Sequence, residues 1–327
     1  MGRQSSSAAR RVVVVVCAAM AVAAAAAQKY NAVYNFGDSI TDTGNLKFGL
    51  PFLPPSKSTS ADFKKGANMA ITGATAMDAN FFRSLGLSDK IWNNGPISFQ
   101  IQWFQQISSS VCGQNCKSYL ANSLFVFGEF GGNDYNAMLF GGYSADQAST
   151  YTSQIVDTIS NGVEKLIAMG AVDVVVPGVL PIGCFPIYLT IYGTSSSSDY
   201  DSLGCLKKFN DLSTNHNNQL KTKISALQSK YKSARIMYAD FYSGVYDMVR
   251  NPGNYGFSTV FETCCGSGGG KFNYNNAARC GMSGASACSN PASHLSWDGI
   301  HLTEAAYKQI TDGWLNGPYC SPAILHS

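Results

Sequence analysis

An alternation of two patterns constrains this chain most. Short apolar runs rich in β-formers recur between stretches with helical spacing. Residues 32–36 (AVYNF), 123–127 (SLFVF), 172–176 (VDVVV) and 235–239 (RIMYA) read as buried strands, because each is short, apolar and flanked by polar or turn-forming residues. Residues 68–71 form a weaker fifth run. Between them, 149–169 places Ile155, Ile159, Val163 and Leu166 on one helical face and meets Gly170, a helix stop. Residues 206–231 and 303–315 read as two further long helices. Strands separated by helices return in the same direction, so the pattern predicts a mostly parallel α/β sheet. One unit is thin. Residues 37–67 carry Pro51, Pro54, Pro55 and several serines but no helical period, where a parallel crossover normally holds a helix.

The N-terminus is an address rather than part of that pattern. Arg10 and Arg11 precede an apolar run from Val12 to Ala27 that ends in small residues. This is the arrangement of a secretory signal, and the run is short for a bilayer span of about 20 residues. The expected organisation is a signal peptide over residues 1–27, cleaved near Ala27, and a single domain over 28–327. No internal repeat or interdomain linker is visible.

Charge and cysteine use narrow the function classes. Of 23 basic residues, Arg3, Arg10 and Arg11 lie in the signal, which leaves 20 against 20 acids. A neutral mature chain without a basic run argues against nucleic acid or an anionic membrane surface as the partner. Nine cysteines remain beyond residue 27: Cys112, Cys116, Cys184, Cys205, Cys264, Cys265, Cys280, Cys288 and Cys320. In an oxidising compartment most should pair, and an odd number leaves at least one over. With four histidines and no C-x-x-C pair, no zinc domain is expected. The run Gly266–Lys271 fails the phosphate-loop spacing, and Phe272 stands where a hydroxyl residue belongs.

The residues with chemistry fall in four places. Ser39 follows the first strand directly in N-F-G-D-S-I-T-D-T-G-N, and the carboxyl ends of parallel strands form the ligand crevice of such a sheet. A serine hydroxyl needs a base before it is a useful nucleophile. Asp298 stands three residues before His301 on a loop that leads into the last helix, close enough for its carboxylate to orient the imidazole. His294 is a rival base without such an acid. Gly73 offers an unobstructed backbone N–H after the weak strand, and Asn133 a neutral amide donor after the 123–127 strand; both suit a developing oxyanion. Each signal alone is also what a turn, a cap or a structural loop histidine looks like. Trp92, Trp103 and Tyr135 are candidates to line a cleft.

Together, Ser39, Gly73, Asn133 and His301 in this order resemble the SGNH hydrolase pattern. The blocks NFGDSITDTGN, GANMAITGATAMD, VFGEFGGNDYN, VPGVLPIGCFP, FETCCGSGG and SWDGIHLTEAAY resemble those of the plant GDSL esterase/lipase family across nearly all of residues 30–320. The resemblance implies a flavodoxin-like three-layer α/β/α sandwich with a mostly parallel five-stranded sheet. It implies Ser39 as nucleophile, His301 as base and Asp298 as its orienting acid. The Ser39 N–H, the Gly73 N–H and the Asn133 side chain would form the oxyanion hole. The implied function is a secreted carboxylic-ester hydrolase without metal or cofactor, acting on acetyl or short acyl esters, acyl lipids, plant metabolite esters or cell-wall esters. An acyltransferase with the same triad and a non-catalytic binding protein are the alternatives. The chain departs from the family in one place. Members usually carry a longer stretch after the first block, and here Gly44-Asn45 runs almost at once into the proline-rich segment. This apparent deletion of a few tens of residues coincides with the thin crossover and predicts apolar surface exposed beside Ser39.

Overall fold

The computed structural model describes residues 29–40, 50–91 and 95–326. The expected signal over 1–27, the point of apparent deletion after Asn45, and Trp92 lie outside them. Five parallel strands form where apolar runs occur: β1 Val33–Phe36, β2 Gly66–Asn68, β3 Leu124–Phe127, β4 Asp173–Pro177 and β5 Arg235–Ala239. The register sets Val33 opposite both Gly66 and Leu124, Leu124 opposite Asp173, and Asp173 opposite Arg235. The weak run expected at 68–71 pairs instead over Gly66–Asn68. The chain then still follows β1, with Met69 N donating to Asn35 O (2.7 Å) and Ile71 N to Gly37 O (3.1 Å). A sixth strand, Cys320–Ser321, joins antiparallel to β5, giving the spatial order Cys320–Ser321, β5, β4, β3, β1, β2. The five-stranded sheet therefore gains an edge that two residues cannot announce in a sequence.

The order of strands decides where the helices lie. Chain progress from β2 to β3, β4 and β5 runs one way across the sheet, so right-handed crossovers place their helices on one face. These are α1 Ile97–Cys112, α3 Thr152–Met169 and α4 Lys207–Lys230, and α3 touches both of the others. The β1 to β2 step runs the opposite way, so its crossover falls on the other face. Beyond β5, α5 Phe241–Arg250 packs against α6 Glu304–Asn316. Among the described residues, that crossover holds only the single 3-10 turn Phe63–Lys65, as the missing helical period predicts. A further helix, α2 Gly132–Phe140, starts just after β3.

The expected apolar surface beside Ser39 falls largely on residues 41–49, outside the described ones; among the described residues, β1 itself is covered. Every residue of β1 is at most 3% exposed, and Leu50 is 2% exposed. Leu53 also packs on the core, and among the segment's described residues Phe52 is the one large hydrophobic side chain that is exposed, at 72%.

The centre of the core is aromatic. Phe104 of α1 is fully buried, with ring centroids 4.9 Å from Tyr34, 5.6 Å from Phe36 and 5.5 Å from Phe125. Phe104→Ala removes the shared partner of two adjacent strands. It should lower the free energy of unfolding by about 3–5 kcal/mol, measured by urea titration. A loss under about 1 kcal/mol would mean the site collapses around the gap.

Eight of the nine cysteines pair, as Cys112–Cys116, Cys184–Cys205, Cys264–Cys288 and Cys265–Cys280. Cys320 is the one left over, buried on the edge strand. No helix among the described residues is long and apolar enough to cross a membrane.

Candidate active site

The direction of chain progress reverses at β1, whose neighbours β2 and β3 are reached from opposite sides. Such a switch point opens a crevice at the carboxyl ends of the strands. Ser39 lies there, three residues beyond β1, and is exposed. The turn that delivers it is anchored from beneath. The Gln100 side chain of α1 accepts from Gly37 N and donates to Gly37 O, both at 2.8 Å. Gly37 itself has φ 137°, a conformation that favours glycine. Asp38 turns inward, and its Oδ1 accepts from Ile40 N at 2.9 Å.

His301 reaches the same point from the other end of the chain. Its Nε2 lies 2.7 Å from Ser39 Oγ, and its Nδ1 lies 2.7 Å from Asp298 Oδ2. The three-residue spacing works because the Asp298 carboxylate also folds its own loop. Asp298 Oδ1 accepts from Ile300 N (2.9 Å) and His301 N (2.7 Å), leaving Oδ2 for the imidazole. Between them, Gly299 sits at φ 95°, and a Cβ there would stand 2.5 Å from the Tyr274 ring. Thr303 caps α6 and donates from Oγ1 to His294 O at 2.7 Å, which fastens the loop to the domain.

Burial alone would push the His301 imidazole down. The Asp298 hydrogen bond and charge, with a smaller push from the Asp38 charge, hold it above its ordinary value. Burial likewise pushes Asp298 up, but the hydrogen bond and charge of His301 and the two backbone N–H groups hold it below the usual carboxylate range. Each partner therefore favours the charged form of the other.

The two expected oxyanion groups converge on the same place. Gly73 follows β2 at φ 77°, and both it and Asn133 border the cleft that contains Ser39 and His301. Among the described residues, neither the Ser39 nor the Gly73 N–H donates to another group. Asn133 differs. Its Nδ2 donates to Asp38 Oδ2 at 2.6 Å and to Ala74 O at 3.1 Å, so both of its N–H groups are engaged.

The sequence reading missed a buried acidic layer behind the nucleophile. Asp38, Glu129 and Asp134 are all buried. Glu129 Oε1 accepts from Gly132 N at 2.8 Å, and Asp134 accepts from Ala76 N (2.8 Å) and Met77 N (2.9 Å). Burial pushes Asp38 up to about 6 and Asp134 up to about 7, against the N–H donors that favour their charged forms. Glu129 is pushed well up by burial and by the Asp38 charge. The signal for this layer was two acids, Glu129 and Asp134, in a block otherwise without charge.

Two cavities meet at Ser39. One is a pit of about 50 Å³ beside Asp38, Asn133 and Glu129, walled by Val179, Leu180, Ile182, Phe185 and Tyr188. The other is a cleft of about 400 Å³ that contains Gly73, Asn133, Asp298 and His301 and is bordered by Lys90 and Arg279. His294 borders neither; its Nδ1 faces Asn290 O at 3.1 Å and Ser293 Oγ at 3.2 Å. Trp103 and Tyr135 are also absent from both linings. Trp103 packs near Phe99 under Lys57, and Tyr135 bonds His216 Nδ1 at 2.9 Å in the core. One cluster of metal-ligand types occurs among the described residues, Cys264, Cys288 and His294, but its two sulfurs are joined to each other and offer no thiolate.

Residues 33–314 match the family described as GDSL-like Lipase/Acylhydrolase. A GDSL esterase/lipase of Arabidopsis thaliana is 36% identical over 90% of this chain and 92% of its own length. A sinapine esterase of Brassica napus is 36% identical over 91% of this chain and 88% of its own length. As 91% of 327 residues is about 298, about 46 of the 344 positions in that second alignment are filled by the relative alone, in keeping with a shortened chain. Among solved structures, a phospholipase A1 from Streptomyces albidoflavus matches at TM-score 0.35 and 13% identity, over 75% of this chain and 91% of that one. The chain thus belongs to the GDSL esterase/lipase family of ester-bond hydrolases.

Proposed function

We propose that this protein is a secreted serine ester hydrolase that works through an acyl-enzyme on Ser39. The observation that carries the reading is the continuous relay Ser39–His301–Asp298, with both contacts at 2.7 Å. Ser39 Oγ attacks the ester carbonyl carbon as its proton passes to His301 Nε2. Asp298 stabilises the imidazolium and keeps the Nδ1–H tautomer. The C–O bond to the alcohol then breaks, and His301 returns the proton to the departing oxygen. Water attacks the acyl-enzyme by the same route, releasing the acid and restoring Ser39.

The oxyanion is stabilised by the N–H groups of Ser39 and Gly73, both without competing partners, and by Asn133. Asn133 contributes by exchanging its longer contact, to Ala74 O, for the substrate oxygen, while Asp38 holds the other N–H and keeps the amide in place. One such donor is typically worth about 3 kcal/mol, so Asn133→Ala should lower kcat toward p-nitrophenyl acetate roughly a hundredfold or more. A variant with near-normal kcat would remove Asn133 from the mechanism.

Secretion is supported by the small-residue end of the 12–27 run and by four disulfides, which persist in oxidising compartments. N-terminal sequencing of the protein exported from expressing cells should begin near Gln28. An added alcohol competing with water for the acyl-enzyme should give mostly free acid; a dominant ester product would mark an acyltransferase.

A further inference from the structure

We infer that the pit beside Ser39 is an acyl subsite limited to short chains, and that the larger cleft receives the alcohol. The inference rests on the ester-hydrolase reading above and adds the side of the substrate that the enzyme measures. An ester at Ser39 has two substituents and two spaces to fill. The departing oxygen must receive its proton from His301, so the alcohol lies on the side of the imidazole. His301 and Asp298 border the 400 Å³ cleft and not the pit. The pit, which shares Ser39 and Asn133 with the cleft, is left for the acyl chain.

Its size sets a limit. At the roughly 30 Å³ that a water-sized group takes up in the liquid, 50 Å³ accepts about two carbons beyond the ester carbonyl. Acetyl and propionyl chains fit, a butyryl chain reaches the mouth of the pit, and an octanoyl chain does not fit. The wall that would have to yield is fastened on several sides. Val179 is held through both backbone groups by the Asn217 side chain of α4, with Val179 N to Oδ1 at 2.8 Å and Nδ2 to Val179 O at 2.9 Å. Gly183 N donates to Asn210 Oδ1 of the same helix at 2.9 Å. Cys184 is tied to Cys205, and the Tyr188 hydroxyl donates to Asn136 Oδ1 at the side of the pit. A wall fixed in this way cannot widen for a longer chain without breaking buried hydrogen bonds.

Phe185 lines both the pit and a second small void, bordered by Val245, Val249, Val260 and Leu295. Truncating it should enlarge the pit toward that void. Leu180 lies on the pit alone and offers a milder enlargement.

The test is a series of p-nitrophenyl acetate, butyrate and octanoate, which fixes the alcohol and varies the acyl chain. For the wild-type chain, kcat/KM for acetate or butyrate should exceed that for octanoate by at least about a hundredfold, the scale at which apolar pockets reject extra methylenes. Phe185→Ala should raise the octanoate-to-acetate ratio at least about tenfold. Leu180→Ala should shift it in the same direction, and serves should Phe185→Ala fail to fold. A wild-type enzyme that treats octanoate and acetate within about threefold would overturn the short-acyl subsite while leaving the hydrolase intact. Absence of turnover on all three esters would remove the hydrolase reading, and the subsite with it.

Discussion

Replacing Ser39 by alanine is expected to lower kcat toward p-nitrophenyl acetate by about 10⁴–10⁶-fold, to the residual level left by binding and the oxyanion donors. Nothing else in the site substitutes for it. Asp38 points away into the buried layer behind the turn, and the serine hydroxyl meets His301 directly. Stability should barely change, because Ser39 is exposed and the turn is held by Gln100 through Gly37 rather than by the serine side chain. A melting temperature within about two degrees of wild type, together with lost turnover, separates a chemical defect from a folding defect. Retained turnover would place the nucleophile elsewhere.

Asp298→Asn should cost about 10⁴-fold in kcat. The asparagine carbonyl can still accept from the N–H groups of Ile300 and His301, so the loop keeps its shape. Its NH₂ then faces His301 Nδ1 and forces the proton onto Nε2, where it cannot accept from Ser39. The pH profile gives a second readout. His301 must be neutral to act as base, so kcat/KM falls as pH drops through its pKa. The Asp298 pairing holds that pKa above the usual value of about 6.5, and the wild-type acid limb should lie above it. With the carboxylate removed, burial pushes the imidazole down, and any residual activity should show its acid limb at lower pH. A limb at the same pH in both enzymes would mean that His301 is not the titrating base.

Much of the fold was legible because it is carried by local patterns. Continuous apolar runs marked all of β1, β3, β4 and β5 to within one residue at either end, and the Ile155–Leu166 spacing marked α3. The weak β2 run was displaced because its pairing is decided by what β1 offers and not by its own composition. The two-residue strand at Cys320 was invisible, since its only support is the edge of β5. In the site, Asp298 and His301 were readable because a three-residue spacing on one loop is a local geometry. Glu129, Asp134 and the pit wall were not, since their meaning comes from burial against segments distant in the chain. The burial of Leu50 and the packing of Leu53 on the core were not legible for a related reason: neither residue belongs to a periodic pattern.

The central claim is that Ser39 becomes covalently acylated during turnover. Its most direct test is intact-mass analysis after treatment with a fluorophosphonate, followed by peptide mapping. The account predicts one adduct per chain, located on Ser39, formed in step with loss of esterase activity and absent from Ser39→Ala. A folded wild-type protein that hydrolyses p-nitrophenyl acetate but takes up no label, or takes it up at a residue other than Ser39, would contradict it.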